Sequence, residues 1–391
     1  MDRGAAPAVL AKSPKFHLKH VEGMRALAAL VVFTNHSYAQ TWNPMARKFP
    51  EGALAPLSTF LVLGHLSVTV FIVISGFCLA LPVVSSGGEI RGGARGFFKR
   101  RAKRILPPYY GAVALCLILI ATVIGESTGT LWDIPILVTP FAIFAHAVLI
   151  QDLFATSAIN YVFWSIAVEW QIYFLFPLLV GAWNRFGPRV VVPVALALGY
   201  AVRFGFEETR VARAHPHYLG MFVLGMLAAY VASSQDASYA RLRKHVGWKV
   251  LLAGALVATA GLIAHYGVDL ATKRFHVLDL PVGLVAMSLL VLASRSEDSP
   301  LTRAFSWRPL VWIGTFSYSL YLVHAPLLQI IWQYVLNPLG FSPNAMFVTL
   351  MTAGFVAIVA ASYLFFRIFE APFMRSASQA SRRAEAAPRV A

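Results

Sequence analysis

Residues 24–38 read MRALAALVVFTNHSY. Ala26 to Phe33 are all apolar, yet Arg25 stands at one end and His36 near the other. They lie eleven positions apart. On an α-helix that is about three turns, so both side chains leave one face, roughly 16 Å apart along the axis. Ionisable groups in so apolar a run are costly in lipid and point to function.

The rest of the chain has the same character. It has 391 residues, 58% of them hydrophobic, and a mean hydropathy of +0.66. Apolar runs of about 17–25 residues recur, each long enough to cross a bilayer. The expected spans are 24–40, 60–82, 106–124, 161–183, 188–204, 215–233, 249–266, 276–293, 310–335 and 344–369, with a shorter run at 136–151. The fold class is therefore all-α, a polytopic transmembrane helical bundle. The first ~20 residues are polar and basic rather than signal-peptide-like, so the first span is expected to serve as its own insertion signal. Three regions are expected: a cytoplasmic tail at 1–16, a membrane domain at 17–374 and a disordered basic cytoplasmic tail at 375–391.

The formal charge is +16. In an apolar chain this reads as Lys and Arg collected in cytoplasmic loops against anionic lipid, not as nucleic-acid binding. Arg3, Lys12, Lys15 and Lys19 place the N-terminus inside, and Arg91, Arg95, Lys99, Arg100, Arg101, Lys103 and Arg104 do the same for the loop after the second span. Arg241, Arg243 and Lys244, and the tail with Arg375, Arg382, Arg383 and Arg389, also belong inside. Both conditions hold if 136–151 dips in and returns. The expectation is about ten crossings plus one re-entrant or interfacial segment, with both termini cytoplasmic. Cys78 and Cys116 lie in apolar runs, so neither a disulfide framework nor a metal cluster is expected.

Four stretches carry candidate chemistry. In the first, Glu22 and Arg25 sit three apart and can pair, while His36 is suited to take and return a proton near neutral pH. The second is FFKRRAKRILPPYY, residues 97–110, with five basic residues in six positions. Arg101 and Arg104, at i and i+3, present planar forks suited to phosphate, and Pro107 and Pro108 are expected to begin the next helix. The third is NYVFWSIAVEWQIYFLFP, residues 160–177, where Ser165, Glu169 and Tyr173 form a polar stripe. A lone membrane carboxylate needs a partner, and Arg25 or His36 is the expected one. The fourth is GTFSYSLYLVHAPLL, residues 314–328, where Ser317, Tyr321 and His324 share a face beside Tyr318. His146, His215 and His217 read as interfacial, near span ends. No GxSxG, HExxH, P-loop or GxGxxG is present.

These stretches, in this order, resemble the acyltransferase-3 family of integral membrane acyltransferases. The resemblance rests on Arg25 and His36, on the RxxR pair Arg101 and Arg104, and on SGF at Ser75, Gly76 and Phe77. It continues through WSIAVEWQIYFLFP, SYSLYLVHAP and the closing Glu370 and Pro372 of FRIFEAPF. It implies transfer of a short acyl group, commonly acetyl, from acyl-CoA as donor substrate to a hydroxyl. The acceptor would be a carbohydrate, a lipid-linked glycan or a macrolide-like molecule. It implies catalytic roles for His36, as general base or as a brief carrier of the acyl group, and for Arg25 and Glu169, with donor binding by Arg101 and Arg104. Glu22, Ser75, Ser165, Tyr173, Ser317, Tyr318, Tyr321 and His324 would support them. Glu169 or Arg25 would orient the His36 ring. No metal and no permanently bound cofactor are implied, and the setting would be the bacterial inner membrane. The rival reading is a proton-coupled transporter using the buried Arg, Glu and His residues, which would call for inverted repeats.

Overall fold

The computed structural model describes residues 18–374 apart from 43–51, 155–157, 208, 268–269 and 271–273. The tails expected at 1–16 and 375–391 lie outside the described residues. Every regular element among the described residues is helical. Nine of these helices are long and apolar enough to cross a membrane, and α1 (Lys19–Trp42), at 24 residues, has the length of a tenth. This is a multi-pass membrane protein.

The long helices after α1 are α2 (Ser58–Ser85) and α3 (Gly93–Thr122). Two short pieces follow, α4 (Pro140–Ala147) and α5 (Gln151–Phe154). Then come α6 (Trp164–Phe186), α7 (Pro188–Gly205), α8 (Tyr218–Ser233), α9 (Trp248–Tyr266), α10 (His276–Ala293), α11 (Ser317–Leu336) and α12 (Pro343–Met374). The 136–151 run is thus divided between α4 and α5, with Leu149 at φ 56° between them. Neither piece approaches the ~20 residues a crossing needs.

Three boundaries differ from the sequence expectation. α3 starts at Gly93, behind a left-handed Gly92, so the arginine cluster lies on the helix itself. Pro107 and Pro108 are interior to α3 rather than at its start. Each lacks the N–H that would reach the carbonyl four residues back, those of Lys103 and Arg104, yet the helix continues because its neighbours pack it in place. The 310–335 run breaks at Phe316 (φ −125°, ψ 20°), so a helix at Arg308–Thr315 precedes the crossing that begins at Ser317.

α8 is buried on nearly all sides, whereas α9 buries only Trp248 and Ala255 and faces outward. α2 and α8 make the closest approach at the centre. A Cβ at Gly76 would collide with the Phe222 carbonyl, and one at Gly225 with the Val73 carbonyl. Glycine is required at both places for the backbones to touch.

At the end of the bundle away from the arginines, Asp279 is fully buried. It accepts hydrogen bonds from Thr69 and from His217 Nε2, the latter at 2.8 Å, and so joins α2, α10 and the turn before α8. His65 Nε2 meets the Tyr218 hydroxyl at 3.1 Å beside it. His146 and His217, expected near span ends, are fully buried within the protein. The chain turns inward there, and each ring finds a partner: His146 the Ala142 carbonyl at 2.8 Å, His217 the carboxylate.

Candidate active site

Four helices and the start of a fifth enclose one cavity of about 860 Å³, its open mouth included. α1 contributes Arg25; α2 contributes Ser75 and Cys78; α3 contributes Arg101 and Arg104. α6 contributes Ser165, Glu169 and Tyr173, and α11 contributes Ser317, Tyr318 and Tyr321. The polar stripe expected on α6 therefore faces a shared space. Residues four apart return to the same side of a helix, which is why one carboxylate and two hydroxyls stand in file.

The basic end is built on α3. Arg104 Nη1 lies 3.1 Å from Glu370 Oε1, and Glu370, 1% exposed, also accepts from Ser319 Oγ at 2.5 Å. Glu370 sits in a π-helical turn, Phe366–Glu370, which swings it inward. Arg101 has a buried Nε without a hydrogen-bond partner. Arg25 Nη1 is 3.9 Å from Glu22 Oε2, a loose pairing, and Glu22 does not line the cavity. Arg25 and Arg101 are thus the cations least committed to protein carboxylates at this wall.

In the middle, Glu169 Oε1 accepts from the Tyr173 hydroxyl at 2.5 Å, and Tyr173 lies 3.0 Å from Ser75 Oγ. Tyrosine, not arginine or histidine, is the hydrogen-bond partner of this carboxylate. Further along, Ser165 Oγ and the Tyr321 hydroxyl are 2.7 Å apart, and both reach the Val162 carbonyl. The Tyr318 hydroxyl donates to the Ile105 carbonyl at 3.2 Å and Ser317 Oγ to that of Gly314 at 3.0 Å.

His36 does not line this cavity. It pairs instead with His324, one turn past Tyr321: His36 Nδ1 and His324 Nε2 are 2.7 Å apart, and the rings lie within 5° of one plane. His324 Nδ1 lies 2.8 Å from the Tyr321 carbonyl and 3.1 Å from that of Leu320. A carbonyl accepts only, so that nitrogen carries the proton. In the neutral pair His324 Nε2 is then bare and accepts from His36 Nδ1–H. This leaves the lone pair of His36 on Nε2. The ring is oriented by its hydrogen bond to His324, not by Glu169 or Arg25, which lie on the cavity wall that His36 does not reach. The Tyr161 ring meets His36 edge-on at 5.0 Å, 83° between planes.

A family profile described as an acyltransferase domain matches residues 18–367. The chain belongs to the acyltransferase-3 family. The O-acetyltransferase OatA of Staphylococcus aureus is 25% identical over 351 residues, covering 82% of this chain and 52% of its own length. The peptidoglycan O-acetyltransferase OatA of Listeria monocytogenes is 21% identical over 333 residues, covering 80% of this chain and 50% of its own. The chain thus spans about half the length of the curated relatives it matches. No solved structure matches it.

Two residues stand apart from the candidate list drawn from sequence: Cys78 on the wall, and Glu370 behind it as the partner of Arg104. Cys78 lines the cavity within the same helix face as Ser75. Glu370 entered only through the family resemblance, though it is a single carboxylate in an apolar run, the same signal that marked Glu169.

Proposed function

We propose that this chain is an inner-membrane O-acyltransferase that moves a short acyl group, acetyl foremost, from acyl-CoA to a hydroxyl of a cell-envelope carbohydrate. The observation that carries this reading is a cavity with an arginine end and a hydroxyl–carboxylate interior, whose Tyr321 stands one helical turn from His324 of the histidine pair. A phosphorylated donor matches the guanidinium forks of Arg101 and Arg104. Its pantetheine arm matches the apolar lining between them and Ser165, which includes Val68, Phe71, Ile72 and Ile166. Arg25 adds positive charge at the donor end of the cavity.

His36 acts as general base. Its Nε2 takes the proton of the acceptor hydroxyl, and the positive charge that develops is shared across the hydrogen bond to His324. The acceptor approaches from the far end of the bundle, with the helical segments bearing Arg101 and Arg241 on the cytoplasmic side and both termini there too. The names of the Staphylococcus and Listeria relatives favour a peptidoglycan-like glycan over a lipid-linked glycan or macrolide.

The test is thermal stability of the detergent-purified protein with coenzyme A and with acetyl-CoA, in wild type and in an Arg101→Ala/Arg104→Ala pair. A ligand at about 100 times its Kd raises stability by roughly 2.7 kcal/mol. Wild type is expected to show a saturable upward shift, and the double variant none. A flat response in wild type at millimolar donor removes acyl-CoA from the reading.

A further inference from the structure

Hydroxyls on apolar helices ordinarily turn back to their own backbone. α1 shows the habit: Thr34 donates to Leu30, Ser37 to Phe33 and Thr41 to the Ser37 carbonyl, each at 2.9 Å. Ser75 instead reaches across from α2 to the Tyr173 hydroxyl on α6 at 3.0 Å, on the wall of the cavity. The direction of that bond follows from proton counting. A phenol has one proton, and Tyr173 gives it to Glu169 at 2.5 Å. Ser75 must therefore be the donor to Tyr173. The result is a directed chain, Ser75 O–H to Tyr173 O–H to the Glu169 carboxylate, a nucleophile connected to a base through a hydroxyl relay.

The same cavity holds a second serine–tyrosine pair, which serves as an internal control. Ser165 and Tyr321 are 2.7 Å apart, but both point to the Val162 carbonyl. A backbone carbonyl does not take a proton near neutral pH. Of the two pairs, only Ser75's chain ends on a base. Arg25 and Arg101 line the wall that Ser75 shares, where an oxyanion would form. His36, by contrast, lies off that wall.

We propose that Ser75 is a covalent acyl carrier, taking the acyl group from the donor thioester before it passes to the acceptor hydroxyl. This rests on the acyl-CoA reading above. In the first half-reaction Ser75 Oγ attacks the thioester carbonyl carbon. Its proton moves to Tyr173, whose own proton moves to Glu169. The C–S bond breaks, and the departing thiolate takes the proton from Glu169 to leave as the free thiol of coenzyme A. In the second, the acceptor hydroxyl attacks the acyl-serine, and its proton passes through solvent to His36, which lies off that wall. The ester C–O bond to Ser75 breaks, and Ser75 Oγ regains a proton from Tyr173, which is replenished from the protonated histidine through solvent.

The experiment mixes the detergent-purified full chain with acetyl-CoA in the absence of acceptor, quenches in acid and maps acetylated peptides by mass spectrometry. Release of coenzyme A is followed in parallel. Wild type is expected to show a burst of one coenzyme A per protein and acetyl on the peptide bearing Ser75. Ser75→Ala is expected to lose both while melting at the wild-type temperature. Tyr173→Phe, which keeps the ring and removes the relay, is expected to form the acyl-enzyme about 10²-fold more slowly. His36→Ala is expected to keep the label, since it serves the second half-reaction. Acetyl found on His36 or Cys78, or an unchanged burst in Ser75→Ala, overturns the proposal. So does the absence of both burst and label in a wild type whose stability still rises with donor, a result that leaves the donor site standing. If that donor shift is missing too, both readings fall.

Discussion

Ionisable side chains are buried both around the open cavity and at the far end of the bundle. At the far end, Asp279 is closed in by Thr69 and His217, with both carboxylate oxygens accepting hydrogen bonds. Around the cavity, Arg101 keeps an unpartnered Nε, Arg25 has only a loose partner in Glu22, and Glu169 faces empty space beside Tyr173. Burial of charge is common to both. What separates Asp279 from Arg101 is whether the group's own polar atoms are used within the fold: both Asp279 oxygens are, and Arg101 Nε is not. A group satisfied by three helices holds those helices together; a group with capacity to spare is available to a ligand.

This contrast can be tested from both sides. The largest effects belong to the open region and fall on activity. His36→Ala and Glu169→Gln are each expected to lower acyl transfer by about 10²–10⁴-fold, with the melting temperature nearly unchanged, in a coupled assay with a glycan acceptor. Asp279→Ala should do the reverse. It strips His217 and Thr69 of their shared acceptor inside the bundle, and a loss of about 3–5 kcal/mol is expected, read as a lowered detergent melting temperature. Donor binding by whatever fraction remains folded should be unaltered. An Asp279 variant that melts normally but fails to transfer acyl groups would erase the distinction between the two regions.

The smallest effect is expected in the loop after α3. Burial there opposes ionisation of Asp133, but hydrogen bonds from the Thr128 N–H, the Ser127 hydroxyl and the Gly129 N–H outweigh it and hold the carboxyl below its ordinary value. A depressed carboxyl stabilises the fold above the unfolded-state value, and that contribution disappears as pH falls through the folded-state value. Asp133→Ala should therefore cost less than about 1 kcal/mol at neutral pH. The difference from wild type should vanish in acid, as melting curves across pH would show.

Much of this arrangement could be read from the sequence because its signals are local. Apolar runs mark the helices. A single Glu169 in such a run marks a buried carboxylate, and the i, i+4 spacing of Ser165, Glu169 and Tyr173 marks a common face. Partnerships across helices leave no such trace. His36 and His324 are 288 positions apart, and Asp279 and His217 are 62 apart, so nothing in either neighbourhood names the other. Pro107 and Pro108 misled for a related reason. Their local preference is for a helix start, and the packing of α3 against its neighbours overrides it. The Phe316 break lies in an apolar run where hydropathy alone cannot distinguish one helix from two.

The contact between α2 and α8 bears on how the cavity behaves when a ligand arrives. With backbone pressed on backbone at Gly76 and Gly225, no side chains lie between the two helices to act as bearings. Sliding or rolling one past the other would drive carbonyl into Cα, so the pair behaves as a stator. Ser75, one residue from that seam, is bolted to the frame. Compliance must then come from elsewhere: α11 begins at a break, and α12, packed behind α11 and outside the cavity lining, carries two π-helical turns, at Leu350–Gly354 and Phe366–Glu370. Widening of the mouth is accordingly a movement of the arginine-facing helices against a fixed anvil, with Glu370 riding on the moving part and Ser75 on the stationary one.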